Sequence, residues 1–142
     1  MSYLRSHAAL TRELNAQLVA EHGLTLNDYE VLLHLSWAEE RSLRRVDLAQ
    51  QVLLTASGIT RLLDGLERSG WVEKRACESD ARVTYARLTD AGYDRLREAA
   101  PFHVDGVART FAAHFSDEEL ELLAGLLGRL ADGGDEGSCR PD

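Results

Sequence analysis

The stretch from residue 45 to residue 88 constrains the fold most, because its apolar spacing changes character partway along. Val46, Leu48, Ala49 and Val52 mark a short helix over 45–52, and Leu53-Leu54-Thr55 leaves only a tight connection after it. Ile59, Leu62, Leu63 and Leu66 then recur at three- and four-residue steps, which predicts an amphipathic helix over 56–69. Thr55 is placed to cap its N-terminus and Gly70 to end it. Beyond Gly70, residues 71–75 and 83–88 read as strands around a polar turn at 78–82, the pattern of a hairpin. Helix, tight turn, helix and hairpin in that order describe a winged helix-turn-helix.

The flanks are helical. Leu4, Ala8, Leu10, Leu14, Leu18 and Val19 predict a helix over 3–22 that ends at Gly23. Thr25-Leu26-Asn27-Asp28 has the form of a capping box for a helix over 26–38, apolar over a wide arc and so expected to be well buried. Residues 39–44 are polar and basic, with a possible short strand at 42–44. Thr89-Asp90-Ala91-Gly92 opens a long helix over 90–114, in which Pro101 removes one backbone bond and is expected to kink the axis. Ser116 and Glu119 form a second capping-box pattern ahead of a helix over 117–131, with Leu120, Leu123, Leu127 and Leu130 on one stripe. The Gly-rich, acidic residues 133–142 are expected to be disordered. The fold class is therefore mainly α with a small β-hairpin wing: a winged lobe over 25–89 and a helical region formed by 1–24 and 90–132.

Charge is unevenly spread. The chain carries a net −8, yet residues 41–97 hold eleven basic against eight acidic residues, whereas the rest hold five against sixteen. Phosphate attraction depends on the field within a Debye length of ~8–10 Å, so a basic middle with acidic ends is compatible with DNA binding. An acidic soluble protein with an unremarkable central charge is equally compatible with composition alone, and a winged-helix protein-interaction module without DNA binding is the alternative function that the acidic balance permits.

Several functions find no support in the residues. No apolar run reaches the ~18 residues of a membrane span, and residues 1–7 lack a signal-peptide core, which gives a cytoplasmic expectation. Two cysteines, Cys77 and Cys139, without a C-x-x-C motif, support neither a disulfide framework nor structural zinc. The histidines His7, His22, His34, His103 and His114 show no metal-ligand spacing and are read as core or seam residues; no cofactor is expected. No nucleophile–base pair, phosphate-binding glycine loop or paired carboxylates indicate an enzyme.

The second helix of the motif suits the major groove, which is wide enough to admit a helix and displays a base-specific pattern. Thr55, Ser57 and Thr60 are short hydrogen-bonding residues near its start, and Arg61 can reach guanine or phosphate; each hydroxyl can equally serve only the helix. Gly58 permits close approach. Arg82 at the hairpin tip suits the minor groove, whose negative potential attracts arginine. Asp80 is placed to orient Arg82 or Arg75 through a charge-assisted hydrogen bond, and Lys74 and Arg75 are phosphate candidates.

These features together resemble the MarR family of transcriptional regulators. The resemblance rests on Asp47-Leu48-Ala49, on residues 57–67 (Ser57-Gly58-Ile59-Thr60-Arg61 at the start), on Gly70-Trp71-Val72, on Arg75 with Asp80-Ala81-Arg82, and on Leu88-Thr89-Asp90-Ala91-Gly92. Val83 departs from the small residue or glycine that many members carry after the wing arginine. The resemblance implies a homodimer in which residues 3–22, 90–114 and 117–131 of two chains interlock, with recognition helices ~34 Å apart on a near-palindromic duplex. It also implies a repressor whose DNA affinity falls on binding a small aromatic or phenolic effector, for which Tyr3, His7, Leu10, Tyr29, Leu33, His34 and Trp37 are candidate lining residues, plain core packing being the alternative. Oxidation-sensing members place their reactive cysteine in the first helix, where this chain has none, so a redox role for Cys77 is not the expectation.

Overall fold

A computed structural model of the chain describes residues 1–77, 80 and 82–132, the last three as main chain only. Glu78, Ser79 and Ala81 of the expected turn, the 133–142 tail and the side chain of Leu130 lie outside the described residues. The elements are α1 (Ser2–His22), α2 (Leu26–Trp37), a 3-10 turn (Glu39–Arg41), β1 (Ser42–Arg44), α3 (Arg45–Gln51), α4 (Ala56–Arg68), β2 (Val72–Ala76), β3 (Thr84–Leu88), α5 (Asp90–Ala112) and α6 (Asp117–Asp132). None of the helices is long and apolar enough to cross a membrane.

Residues 1–104 form one compact unit and a second begins at Asp105. In the first unit, Leu18, Leu24, Val31, Leu32, Leu35, Leu48, Ile59, Leu63, Val72, Ala86, Leu96 and Ala99 make one continuous core. Burying each large side chain removes apolar area from water and contributes roughly 1.5–3 kcal/mol before entropy is counted. The capping box at Thr25 is complete: Asp28 N–H donates to Thr25 Oγ1 (3.1 Å) and Thr25 N–H donates to Asp28 Oδ2 (2.9 Å). Asn15 Oδ1 of α1 accepts from Leu26 N–H at 3.0 Å, fixing α1 against the start of α2.

The sheet has three antiparallel strands in the order β1-β3-β2, so the hairpin is widened by the short strand at 42–44. Its register pairs Val72 with Leu88 and Lys74 with Ala86, and sets Glu73 opposite Arg87 and Arg75 opposite Tyr85. Alternation turns Val72, Ala86 and Leu88 into the core and places Glu73, Arg75, Tyr85 and Arg87 on the other face. Thr89 locks this sheet to α5. Its hydroxyl donates to Gly70 O (2.7 Å) and accepts from Gly92 N–H (3.0 Å), while its own N–H donates to Trp71 O (3.1 Å). A Cβ on Gly92 would stand 2.1 Å from Trp71 O, so only glycine fits at this crossing. α5 continues through Pro101 to Ala112.

In the second unit, Ser116 and Glu119 complete their capping box: Ser116 N–H donates to Glu119 Oε2 (2.9 Å) and Glu119 N–H donates to Ser116 Oγ (3.3 Å). Phe111 and Phe115 stand 6.3 Å apart, while Leu122 and Leu126 of α6 are 64% and 48% exposed.

Candidate nucleic-acid interface

The turn between α3 and α4 is a Schellman motif built without glycine. Leu54 N–H donates to Ala49 O (2.9 Å) and Leu53 N–H to Gln50 O (3.3 Å), with Leu53 at φ 54° and its side chain exposed. The left-handed position normally favours glycine. The same motif closes α4, this time with Gly70 at φ 74°, through Trp71 N–H to Leu66 O (3.0 Å) and Gly70 N–H to Glu67 O (2.9 Å). α4 is thus held at both ends, and its inner face, Ile59, Leu63 and Leu66, is fully buried.

The outer face carries Ser57 and Arg61, both exposed, and there is no acidic residue in the first turn to offset the positive end of the helix dipole. Among the described residues, no carboxylate pairs with Arg61 or Arg82. The three hydroxyls differ. Thr55 Oγ1 accepts from Gly58 N–H (3.1 Å) as the N-cap, and Ser57 Oγ stands 3.3 Å from it. Thr60 Oγ1 donates to Ala56 O (2.8 Å) and accepts from Arg45 Nη1 (3.4 Å). Thr60 therefore has no proton left to donate outward. Arg45 was not marked by the sequence; it lies fifteen residues away and is brought to α4 only by the turn.

The wing residues divide in the same way. Lys74 Nζ lies 2.6 Å from Asp64 Oδ1 and 2.8 Å from Glu67 Oε2, both on α4. Hydrogen bonds to these carboxylates raise the Lys74 pKa, and the bonds to Lys74 lower those of Asp64 and Glu67. Lys74 thus ties β2 to α4, its single charge more than offset by two carboxylates. Arg75 Nη2 lies 2.8 Å from Glu73 Oε1 as an ion pair, on the face of the sheet away from the core. Asp80 acts on the main chain of Arg82, not on a guanidinium: its Oδ1 accepts from Arg82 N–H at 2.9 Å, an Asx-type turn. Val83 N–H donates to Asp80 O (3.0 Å) and Val83 O accepts from Cys77 N–H (2.9 Å), which closes the hairpin below the exposed Arg82.

The residues named for an effector divide in the single chain between core packing and exposure. Tyr29 is buried, with its ring 4.5 Å from His103, and Leu33 packs on the core. Tyr3 and Trp37 are 61% and 70% exposed; Tyr3 lies 6.5 Å from His7 and Trp37 lies edge-on to His34 at 5.6 Å. Among the described residues no three His, Cys, Asp or Glu side chains stand close enough to hold a metal ion.

Residues 22–83 match the model of the MarR family. The chain is 33% identical over 111 residues to the HTH-type transcriptional repressor YetL of Bacillus subtilis; the alignment takes in 78% of this chain but 66% of that protein, just under two thirds of its length. The fold is similar to the crystal structure of Sco3205 from Streptomyces coelicolor in complex with DNA, a MarR family transcriptional regulator, with a TM-score of 0.86 and 32% identity over 96% of this chain and 85% of that one. AbsC from the same organism, also a MarR family transcriptional regulator, gives 0.82 and 34% over 93% and 88%. Motif, architecture and likeness agree, and the chain belongs to the MarR family.

Proposed function

We propose that this protein is a sequence-specific transcriptional regulator that binds double-stranded DNA as a homodimer, with α4 in the major groove and the hairpin tip at the minor groove. The observation that carries this reading is the division of α4: Ile59, Leu63 and Leu66 are consumed by the core, while Ser57 and Arg61 face outward from a capped, dipole-positive start. Sco3205 was crystallised with DNA and YetL is named a repressor, which supports both the partner and the direction of control. Arg61 and Ser57 read the groove, Thr55 holds the helix start, Arg45 and Thr60 steady it, and Arg82 supplies the wing contact. Lys74 positions the hairpin and touches no phosphate. A regulator of this kind works in the cytoplasm.

Dimerisation is supported by what the single chain leaves uncovered. Leu4 and Val19 on α1, and Leu122, Leu126 and Leu127 on α6, are large apolar side chains more than a third exposed. A second copy supplies the cover, and its two-fold symmetry sets the half-site spacing. Tyr3, His7 and Leu10 on α1, with His34 and Trp37 on α2, are available for a small aromatic or phenolic effector, which would act by favouring a lobe spacing that no longer matches the grooves. Tyr29 and Leu33 are taken up by packing in this reading.

Fluorescence anisotropy on a selected inverted repeat tests the DNA contacts. The Arg61→Ala, Arg82→Ala double variant is expected to lose binding by roughly a hundredfold or more, since charge-assisted contacts contribute ~1–3 kcal/mol each. Binding equal to the parent protein would overturn the assignment. Quenching of the exposed Trp37 by an effector, lost in Tyr3→Ala, is the matching test of the small-molecule role.

A further inference from the structure

Arg44 and Arg45 are adjacent in the chain and engaged in different ways. Arg44 is spent within its own segment: its Nε (2.6 Å) and Nη2 (3.0 Å) both donate to the Asp47 carboxylate. Arg45, the first residue of α3, reaches across to α4 instead, where its Nη1 donates to Thr60 Oγ1 at 3.4 Å. Among the described residues no carboxylate pairs with Arg45, and the residue is half-buried. A guanidinium has five N–H donors in a fixed fork. One long bond to a neutral hydroxyl engages a single donor and offsets none of the charge.

Thr60 fixes where this charge stands. Residues 57, 60 and 61 are three and four positions apart on α4 and share its outer face. The Thr60 proton is committed to Ala56 O (2.8 Å), so what Thr60 offers Arg45 is a lone pair. Arg45 therefore lies on the same surface as Ser57 and Arg61, although it belongs to another helix. The first turn of α4 has no acidic residue to cancel the two arginines. Farther along α4, Asp64 and Glu67 are met by Lys74, and Arg68 acts on Asp64 as well. Two acids there face two cations, and the positive charge at the start of the helix remains.

We propose that Arg45 is a further DNA contact, the ligand of a backbone phosphate at the rim of the major groove, with its fork aimed by Thr60. This assignment rests on the DNA reading of α4. In a helix-turn-helix the second helix occupies the groove and the first crosses the backbone. A cation carried by α3 and tied to the outer face of α4 thus meets the strand that borders the groove. The remaining donors of the fork match a phosphate through paired hydrogen bonds. Because Thr60 orders the side chain beforehand, less freedom is lost on binding. The contact carries no base information; it sets the register of α4 on the duplex, while Arg61 and Ser57 read the bases. A supporting role alone accounts for one hydrogen bond and leaves the charge without a purpose.

The test measures binding of the full chain to its selected inverted repeat by fluorescence anisotropy between about 50 and 200 mM salt. The measurement is repeated on duplexes that carry one neutral methylphosphonate at each backbone position in turn. Arg45→Gln is expected to weaken binding roughly tenfold or more. The slope of log K against log salt is expected to become shallower by ~0.9 for each copy of the chain on the duplex. At one phosphate in each half-site, the methylphosphonate is expected to weaken the parent protein and to leave Arg45→Gln indifferent. Arg45→Lys keeps the charge and Thr60→Val keeps the arginine; both are expected to lose part of the affinity and to retain the parent slope. If Arg45→Gln does not fold, Arg45→Met carries the same expectations. An unchanged slope in the folded neutral variant, or sensitivity at every phosphate where the parent is sensitive, would make Arg45 a support only and overturn the proposal. A loss confined to one base pair of the site would make it a base contact and overturn it equally. A parent protein that binds no duplex overturns the DNA reading of α4 itself, whereas a parent that binds with no Arg45-dependent phosphate overturns this assignment alone.

Discussion

α4 and α6 carry the same sequence signature and meet different fates. Both repeat leucine or isoleucine at helical spacing behind a hydroxyl N-cap, Thr55 for α4 and Ser116 for α6. In α4, Ile59, Leu63 and Leu66 are at most 2% exposed; in α6, Leu120 and Leu123 of the expected stripe are half-buried and Leu127 is 38% exposed, while Leu122 and Leu126, outside that stripe, are 64% and 48% exposed. Periodicity states that one face of a helix requires cover. It does not state whether the cover comes from the same chain. For α4 the cover is α2, α3 and the sheet, and its free face is polar, with Arg61 exposed near the start. For α6 the apolar face is still open, and a second copy is the cover we propose.

That contrast can be broken most forcefully in the core of α4. Leu63→Ala removes a fully buried side chain and is expected to cost about 2–5 kcal/mol in chemical denaturation. Gly92→Ala tests the crossing that fastens the sheet beside α4 to α5. Its Cβ meets the Trp71 carbonyl, and about 1–3 kcal/mol or more of stability is expected to go, read as a lowered Tm. The double variant Leu122→Glu, Leu126→Glu acts on the open face instead. The expected result is a folded chain by far-UV circular dichroism whose sedimentation mass falls from two copies to one; a variant that keeps the dimer mass would remove α6 from the seam.

The smallest effect sharpens the account of the core around α2. Burial against Tyr29 lowers the pKa of His103, so its neutral form is favoured in the folded state. The unfolded chain then binds the proton more readily, and stability from this residue is complete above the ordinary histidine pKa of about 6.5 and is lost as pH falls from there toward the lower folded value. The parent protein is expected to show a Tm that declines on acidification through this window, and His103→Phe a shallower decline.

The helices were legible in the sequence to within two residues at either end, because caps and apolar spacing act locally: Thr25 with Asp28, Thr55, and Ser116 with Glu119 all cap as read. The strand at 42–44 was visible only as a possibility, since its pairing with β3 depends on residues more than forty positions away. The left-handed Leu53, Glu40 and Arg41 were hidden because none is glycine. Side-chain partnerships across elements were hidden too. Nothing in the spacing joins Lys74 to Asp64 and Glu67, or Arg45 to Thr60, until the turn folds. The candidate site was therefore readable as a list of exposed hydrogen-bonding residues, but its division into contacts and supports was not.

Selection of bound duplexes from a random DNA pool, with the mass of the resulting complex measured by sedimentation, addresses the whole arrangement at once. The account predicts an inverted repeat with half-sites about one helical turn apart and two chains per duplex. Enrichment of no sequence, or of a single unrepeated half-site bound by one chain, would contradict it.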